Sequence, residues 1–199
     1  MDHLICRAKK RTKSAWVIWL VGLPECGKSS LARAAVSALH GYGELVTHLQ
    51  MDDRRKIYFP SPEYTSKQRI KAYELFAAEA ALLASQGQNV LMDASAPKLK
   101  MRELARALTP KFAEIYLDCS LETAMQREGS RPEGKVMADM YKKALERKQS
   151  NKVFPGLGEV IGVDTEFEQN PLAECVLDVN NNDLKQSCSL LLQFINFWK

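Results

Sequence analysis

Stretches of unbroken apolar residues alternate with stretches of helical spacing from one end of the chain to the other. Trp16-Val-Ile-Trp-Leu-Val21 is continuous and apolar, the mark of a strand covered on both faces. It predicts a first strand over 15–22, followed by an alanine-rich helix over 27–40 that Gly41-Tyr-Gly43 stops. A second strand over 44–51, carrying Leu45, Val46 and Leu49, ends at Asp52-Asp53. Ser61-Pro62-Glu63 reads as an N-cap with proline in the first turn. The helix that follows sets Ile70, Tyr73, Phe76 or Ala77, Ala80 and Leu83 on one stripe, closed by Gly87. Further strands are expected over 89–92 (ending at Asp93), 112–118 and 175–179, with helices over 99–108, from Leu121 to Arg127, and over 140–149. Residues 152–171 lack periodicity and read as a long loop, a length usually tied to function or disorder. A last helix aligns Leu184, Cys188, Leu191, Ile195 and Trp198.

This alternation predicts an α/β domain of three layers: a five-stranded, mostly parallel sheet with helices on both faces. Residues 15–199 form the single domain, with a lid at about 128–170, and 1–14 form a basic arm. The chain has 199 residues, 46% of them apolar, enough to bury one core. Net charge is +4, much of it in Arg7-Ala-Lys-Lys-Arg11-Thr-Lys13, read as a solvated segment rather than a nucleic-acid contact. No apolar run approaches the roughly 18 residues of a membrane span. The five cysteines (Cys6, Cys26, Cys119, Cys175, Cys188) show no metal-ligand spacing and fit reduced thiols, hence a cytoplasmic expectation.

Gly22-Leu-Pro-Glu-Cys-Gly-Lys28-Ser29 joins the first strand to the first helix. This is a phosphate-binding loop (P-loop) in its required strand–loop–helix context. Its N–H groups and the helix N-terminus favour phosphate oxygens. Gly22, Leu23, Pro24, Glu25, Cys26, Gly27, Lys28, Ser29 and Ser30 are therefore the expected nucleotide site, with Lys28 on the β- and γ-phosphates and Ser29 on Mg2+. ATP and Mg2+ are the expected cofactors. Ligands of open α/β sheets sit beyond the carboxyl ends of strands, which makes Asp52, Asp53, Arg54, Arg55 and Asp93 candidates. A solvated turn would also explain the first four, and a capping role would explain Asp93. Arg127, Arg131, Lys135, Lys142, Lys143 and Arg147 bring positive charge to the lid. G-protein elements of the NKxD and DxxG type are missing, which leaves a small-molecule kinase whose lid excludes water.

The chain resembles the adenylylsulfate kinase (APS kinase) family from about residue 16 to 180. Gly22–Ser30 with Leu31-Ala32 is similar to that family's P-loop and first helix. Leu49-Gln-Met-Asp52-Asp-Arg-Arg55 sits where the family has Asp-Gly-Asp-Asn-Val-Arg, with Asp52 matching the second aspartate and Arg55 the arginine. Met140-Tyr-Lys-Lys-Ala144 resembles its lid helix, and Gly162-Val-Asp-Thr-Glu-Phe-Glu168 with Asn170-Pro171 and Val176-Leu-Asp178 its most distinctive run. The resemblance implies transfer of phosphate from ATP to the 3′-hydroxyl of adenylylsulfate, with Lys28 and Asp52 catalytic. Ser29 and Asp52 would serve the metal and Arg127 the nucleotide. Arg55, Arg69 and Lys152 would meet substrate anions, and Tyr64 and Phe154 would stack on its adenine. A homodimer is admitted.

The chain also departs from that pattern. Gln50 and Met51 replace the first aspartate and glycine, and Asp53 replaces the asparagine. Ala72 and Leu75 stand where a substrate-binding asparagine and arginine are expected. The segments 129–138 and 155–161 look inserted. The strand end Asp93-Ala-Ser95 is similar instead to polynucleotide-kinase- and zeta-toxin-like kinases. Two alternatives thus stay open: a P-loop kinase for another nucleotide or small hydroxyl substrate, and a catalytically silent ATP-binding regulatory protein.

Overall fold

The computed structural model describes residues 15–61, 65–130 and 139–199. The proposed basic arm, Tyr64, Arg131 and Lys135 lie outside the described residues. Five strands, β1 (Val17–Val21), β2 (Val46–Gln50), β3 (Asn89–Asp93), β4 (Phe112–Asp118) and β5 (Cys175–Asp178), form one sheet in the order β2-β3-β1-β4-β5. Every pairing between neighbours is parallel, so "mostly parallel" becomes parallel throughout the described residues.

Alternation along β1 divides the core in two. Ile18 and Leu20 face α1 (Lys28–Gly41) and α7 (Leu184–Trp198), where they meet Leu31, Ala35, Leu191 and Ile195. Val17, Trp19 and Val21 face α3 (Ser66–Ser85) and α4 (Leu99–Leu108), and Trp19 packs against the rings of Tyr73 and Phe76. Because both faces are covered, β1 reads as a continuous apolar run. Its C-terminal end, and those of β2 and β3, are thereby aligned beneath the P-loop.

Three local expectations need correction. The chain leaves β2 at Gln50 directly into a helix, α2 (Met51–Tyr58), so Asp52 and Asp53 lie in a helical first turn rather than at a strand end. The N-cap of α3 is Thr65, whose side chain accepts from the Gln68 N–H, not Ser61. Ile70 is exposed, while its neighbour Arg69 is buried.

The long connection before β5 is pinned rather than free. Arg102 of α4, almost fully buried, pairs through Nε with Glu114 Oε1 of β4 at 2.9 Å and also donates to the carbonyls of Ala96 and Glu168. Asn170 donates to the other Glu114 oxygen at 2.8 Å, and Phe167 stacks on Tyr116. Burial pulls the Arg102 pKa down and pushes that of Glu114 up, each opposed by the other's charge. Arg102→Leu strands the carboxylate and is expected to cost about 3–5 kcal/mol. Thermal unfolding would read this as a fall of roughly 10 °C in Tm. Pairing Arg102→Met with Glu114→Leu restores most of that loss, since the isolated charge carries the penalty.

Candidate active site

The P-loop is shaped by two glycines. Gly22 has φ +141°, and a Cβ there would lie 2.8 Å from the Leu117 carbonyl oxygen of β4, so only glycine lets the strand end pass so closely. Gly27 takes φ +101° as the N-cap of α1, a conformation costly for other residues, and turns the first helical N–H groups toward the loop's concave side. The Lys28 ammonium is largely buried inside the curl and donates to the carbonyls of Gly22 (3.2 Å) and Leu23 (2.6 Å), with Cys26 Sγ at 3.6 Å. A positive charge is thus held inside the loop at the N-terminus of α1, an arrangement that suits polyphosphate.

Residues of α5 (Leu121–Gly129) and α6 (Met140–Ser150) brace the loop. Tyr141 of α6 donates its hydroxyl proton to the Pro24 carbonyl at 2.8 Å. Glu128, in α5, caps the start of α6 by accepting from the Met140 and Tyr141 N–H groups. Arg127 donates to the Cys26 carbonyl at 2.9 Å and to that of Val179, joining the P-loop to the turn after β5. Beside it opens a cleft of about 320 Å³, bordered by Gly27, Leu31, Arg127, Val179 and Asn182. Arg127 thus touches the P-loop through the Cys26 backbone.

Ser29 is tied to the end of β3. Its hydroxyl donates to Asp93 Oδ1 at 3.0 Å, and His48 Nε2 lies 2.6 Å from the other oxygen, Oδ2. Asp93 is the C-terminal residue of β3, in register with Gln50 of β2. The structure thus puts a carboxylate directly beside the position where the resembling family carries its first aspartate. A Ser hydroxyl and a carboxylate are hard oxygen donors that suit Mg2+, which takes few protein ligands and shares the rest with phosphates and water. Among the described residues no cluster of three or more His, Cys, Asp or Glu forms a self-sufficient metal cage. Asp52 is exposed in the first turn of α2, where the helix dipole favours it.

Tyr73, which the sequence marked only as core, feels the charges of Arg55, Arg69 and Asp52. Its phenolic oxygen accepts from the Ala96 N–H at 2.8 Å, holding Ala96 at φ +45° where the chain leaves β3. Burial pushes its pKa up, opposed by that hydrogen bond and by the charges of Arg55 and Arg69, while Asp52 pushes it further up. Arg55 and Arg69 are both buried. Arg69 donates to the Glu159 carbonyl at 2.8 Å and lies 4.0 Å from the Glu159 carboxylate, which joins α3 to the segment before β5. Ala72 is packed into the core and Leu75 is half-buried, an apolar pair where the family pattern is polar. Lys152 pairs with Glu146 and lies over the Phe154 ring at 5.0 Å, a cation–π contact on the connection leaving α6.

Comparison with known proteins bears on the same residues. A family model for adenylylsulphate kinase matches residues 14–178. A probable adenylyl-sulfate kinase of Archaeoglobus fulgidus is 30% identical over 169 residues, 85% of this chain and 99% of the relative. The adenylyl-sulfate kinase of Bacillus licheniformis is 30% identical over 189 residues, 94% of this chain and 87% of its own. Among solved structures, the Mycobacterium tuberculosis APS kinase in complex with AMPPNP and APS matches with a TM-score of 0.75 at 20% identity, covering 92% of this chain and 98% of its own. A sugar kinase from Janibacter matches at 0.66 and 18% identity, covering 92% and 95%. At such identities these two likenesses are of fold alone. With the family model spanning most of the domain and relatives matched along nearly their whole length, the chain belongs to the adenylylsulphate kinase family.

Proposed function

We propose that the chain transfers the γ-phosphoryl group of ATP to the 3′-hydroxyl of adenylylsulfate. The observation that carries this reading is that Ser29, at the head of the P-loop helix, is tied through Asp93 to the end of β3, whose next turn Tyr73 holds at Ala96. The Arg127 cleft opens on the P-loop, and the charges of Arg55, Arg69 and Asp52 act on Tyr73. A donor nucleotide in the cleft would lay its phosphates along the P-loop, where Lys28 exchanges the carbonyls of Gly22 and Leu23 for β- and γ-phosphate oxygens.

Arg55 and Arg69 would hold the acceptor's anionic group with their planar forks. Phe154, with Tyr64, would stack on its adenine, and Lys152 would meet its charge. Asp52 would accept the hydroxyl proton as the oxygen bonds to the γ-phosphorus and the bond to the β–γ bridging oxygen breaks. Mg2+ is expected between Ser29 and Asp93, and when bound it neutralises charge on the β- and γ-phosphates. In this respect the reading departs from the pairing of Ser29 with Asp52 drawn from resemblance. The bracing of Tyr141 on Pro24 and the contact of Arg69 with Glu159 support a lid that shuts water out of the site.

All the named groups come from one chain, so the mechanism does not require a homodimer. No helix among the described residues is long and apolar enough to cross a membrane. The free thiols Cys26, Cys119, Cys175 and Cys188 fit the cytoplasmic setting proposed here.

A second reading has its own support. Buried Ala72 and half-buried Leu75 remove two polar contacts that the family pattern offers to the substrate, which favours a different hydroxyl acceptor on the same donor machinery. Incubation with Mg-ATP and a panel of adenylylsulfate, nucleosides, nucleoside monophosphates and sugars separates the two. Product on adenylylsulfate alone is the expected result. Product on another member moves the assignment to that acceptor, and ATP binding without any product favours a regulatory role.

A further inference from the structure

We infer that His48 is a positioning residue for the metal site, acting through Asp93. This rests on the proposed pairing of Ser29 with Asp93 at Mg2+.

Asp93 is almost wholly buried, and its two oxygens have different partners: Ser29 on Oδ1 and His48 on Oδ2. His48 reaches it from the neighbouring strand. Leu91 is the register partner of His48 and Gln50 that of Asp93, so the imidazole spans two residues along the ladder to meet the carboxylate. At 2.6 Å the contact is short, and with a carboxylate acceptor it is Nε2–H that donates. A carboxylate at a strand terminus can rotate about χ2. Fixing Oδ2 on the imidazole sets that rotation and leaves Oδ1 facing Ser29, the side on which α1 and the P-loop lie. The neutral imidazole suffices for this, so the role needs no change of protonation state.

The arrangement also accounts for a departure from the family pattern. Gln50 replaces the family's first aspartate, and the acid beside it now comes from β3. A carboxylate moved to the adjacent strand needs its own orienting partner, and His48 supplies it. Partners of this kind outside the metal ligands typically change metal affinity by about 10–100-fold when removed.

The test uses the full chain and a readout independent of turnover: Mn2+ affinity in the presence of a non-hydrolysable ATP analogue, followed by electron paramagnetic resonance. His48→Leu is expected to weaken Mn2+ about 10-fold or more, with affinity for the metal-free analogue within twofold of the parent. His48→Gln, which keeps an N–H donor, should recover most of the loss. Thermal unfolding of the metal-free proteins identifies any variant that fails to fold. If His48→Leu does, His48→Asn, whose amide is too short to reach Asp93, decides in its place.

Unchanged Mn2+ affinity in these variants, together with a large loss in Asp93→Asn, would overturn the role of His48 and leave the metal site standing. Unchanged affinity in Asp93→Asn as well would overturn the Ser29–Asp93 site itself, and with it the inference. Equal weakening in His48→Leu and His48→Gln would show that the donated hydrogen bond is not the cause, and would also overturn it.

Discussion

Lys28→Ala is expected to slow phosphoryl transfer on the order of a thousandfold or more while the fold persists. The ammonium sits inside the P-loop curl, within 3.2 Å of two carbonyls that a bound triphosphate would displace. Charge that moves onto phosphate oxygens in the transition state has this group as its nearest fixed partner, and alanine leaves it unanswered. Stability should change little, because the P-loop backbone keeps its own supports. Gly22 still packs against Leu117, Tyr141 still binds the Pro24 carbonyl, and Arg127 still binds that of Cys26. Steady-state turnover and thermal unfolding measured on one preparation check both halves. A rate within tenfold of the parent contradicts the role given to Lys28.

Asp52→Ala is expected to lower kcat by about 10²–10⁴-fold with ATP affinity nearly unchanged. Asp52 is exposed at the start of α2 and its charge reaches Tyr73, on which the charges of Arg55 and Arg69 also act. Losing one acid from a helical first turn costs only about 0.3–1 kcal/mol, so a fall in activity could not be put down to unfolding. Turnover within threefold of the parent would remove Asp52 from the chemistry and turn attention to Asp93, whose carboxylate accepts from Ser29.

Much of the fold was legible because the three central strands are buried on both faces and read as dense apolar runs. Phe112–Asp118 and Leu99–Leu108 fall where the apolar spacing put them. The helix over Met51–Tyr58 was not legible, since only Met51 and Arg55 are buried and its remaining residues read as a charged turn. Ser61-Pro62-Glu63 offered a helix start that outcompeted Thr65, although Thr65 with Gln68 also carries a cap signature. Ile70 was placed inward by hydropathy; the structure exposes it and buries its neighbour Arg69, which donates to the Glu159 carbonyl.

The donor site was legible for a similar reason: the P-loop is local, and its glycines, Lys28 and Ser29 lie within eight residues. Cross-strand relations were not. That Asp93 adjoins Gln50, and that His48 reaches Asp93, depends on β2 lying next to β3, which no spacing along the chain reports. A histidine two residues before the end of an otherwise ordinary strand was the one available signal. Tyr73 was hidden because a buried tyrosine on a helical stripe looks like packing until its oxygen is seen on the Ala96 N–H.

Transfer of radiolabel from γ-³²P-ATP to adenylylsulfate by the purified chain tests the central claim most directly. Chromatography against an authentic 3′-phosphorylated standard should show label in that product, dependent on both substrates and lost in Lys28→Ala. Label released only as inorganic phosphate, or the same product from Lys28→Ala, would contradict it.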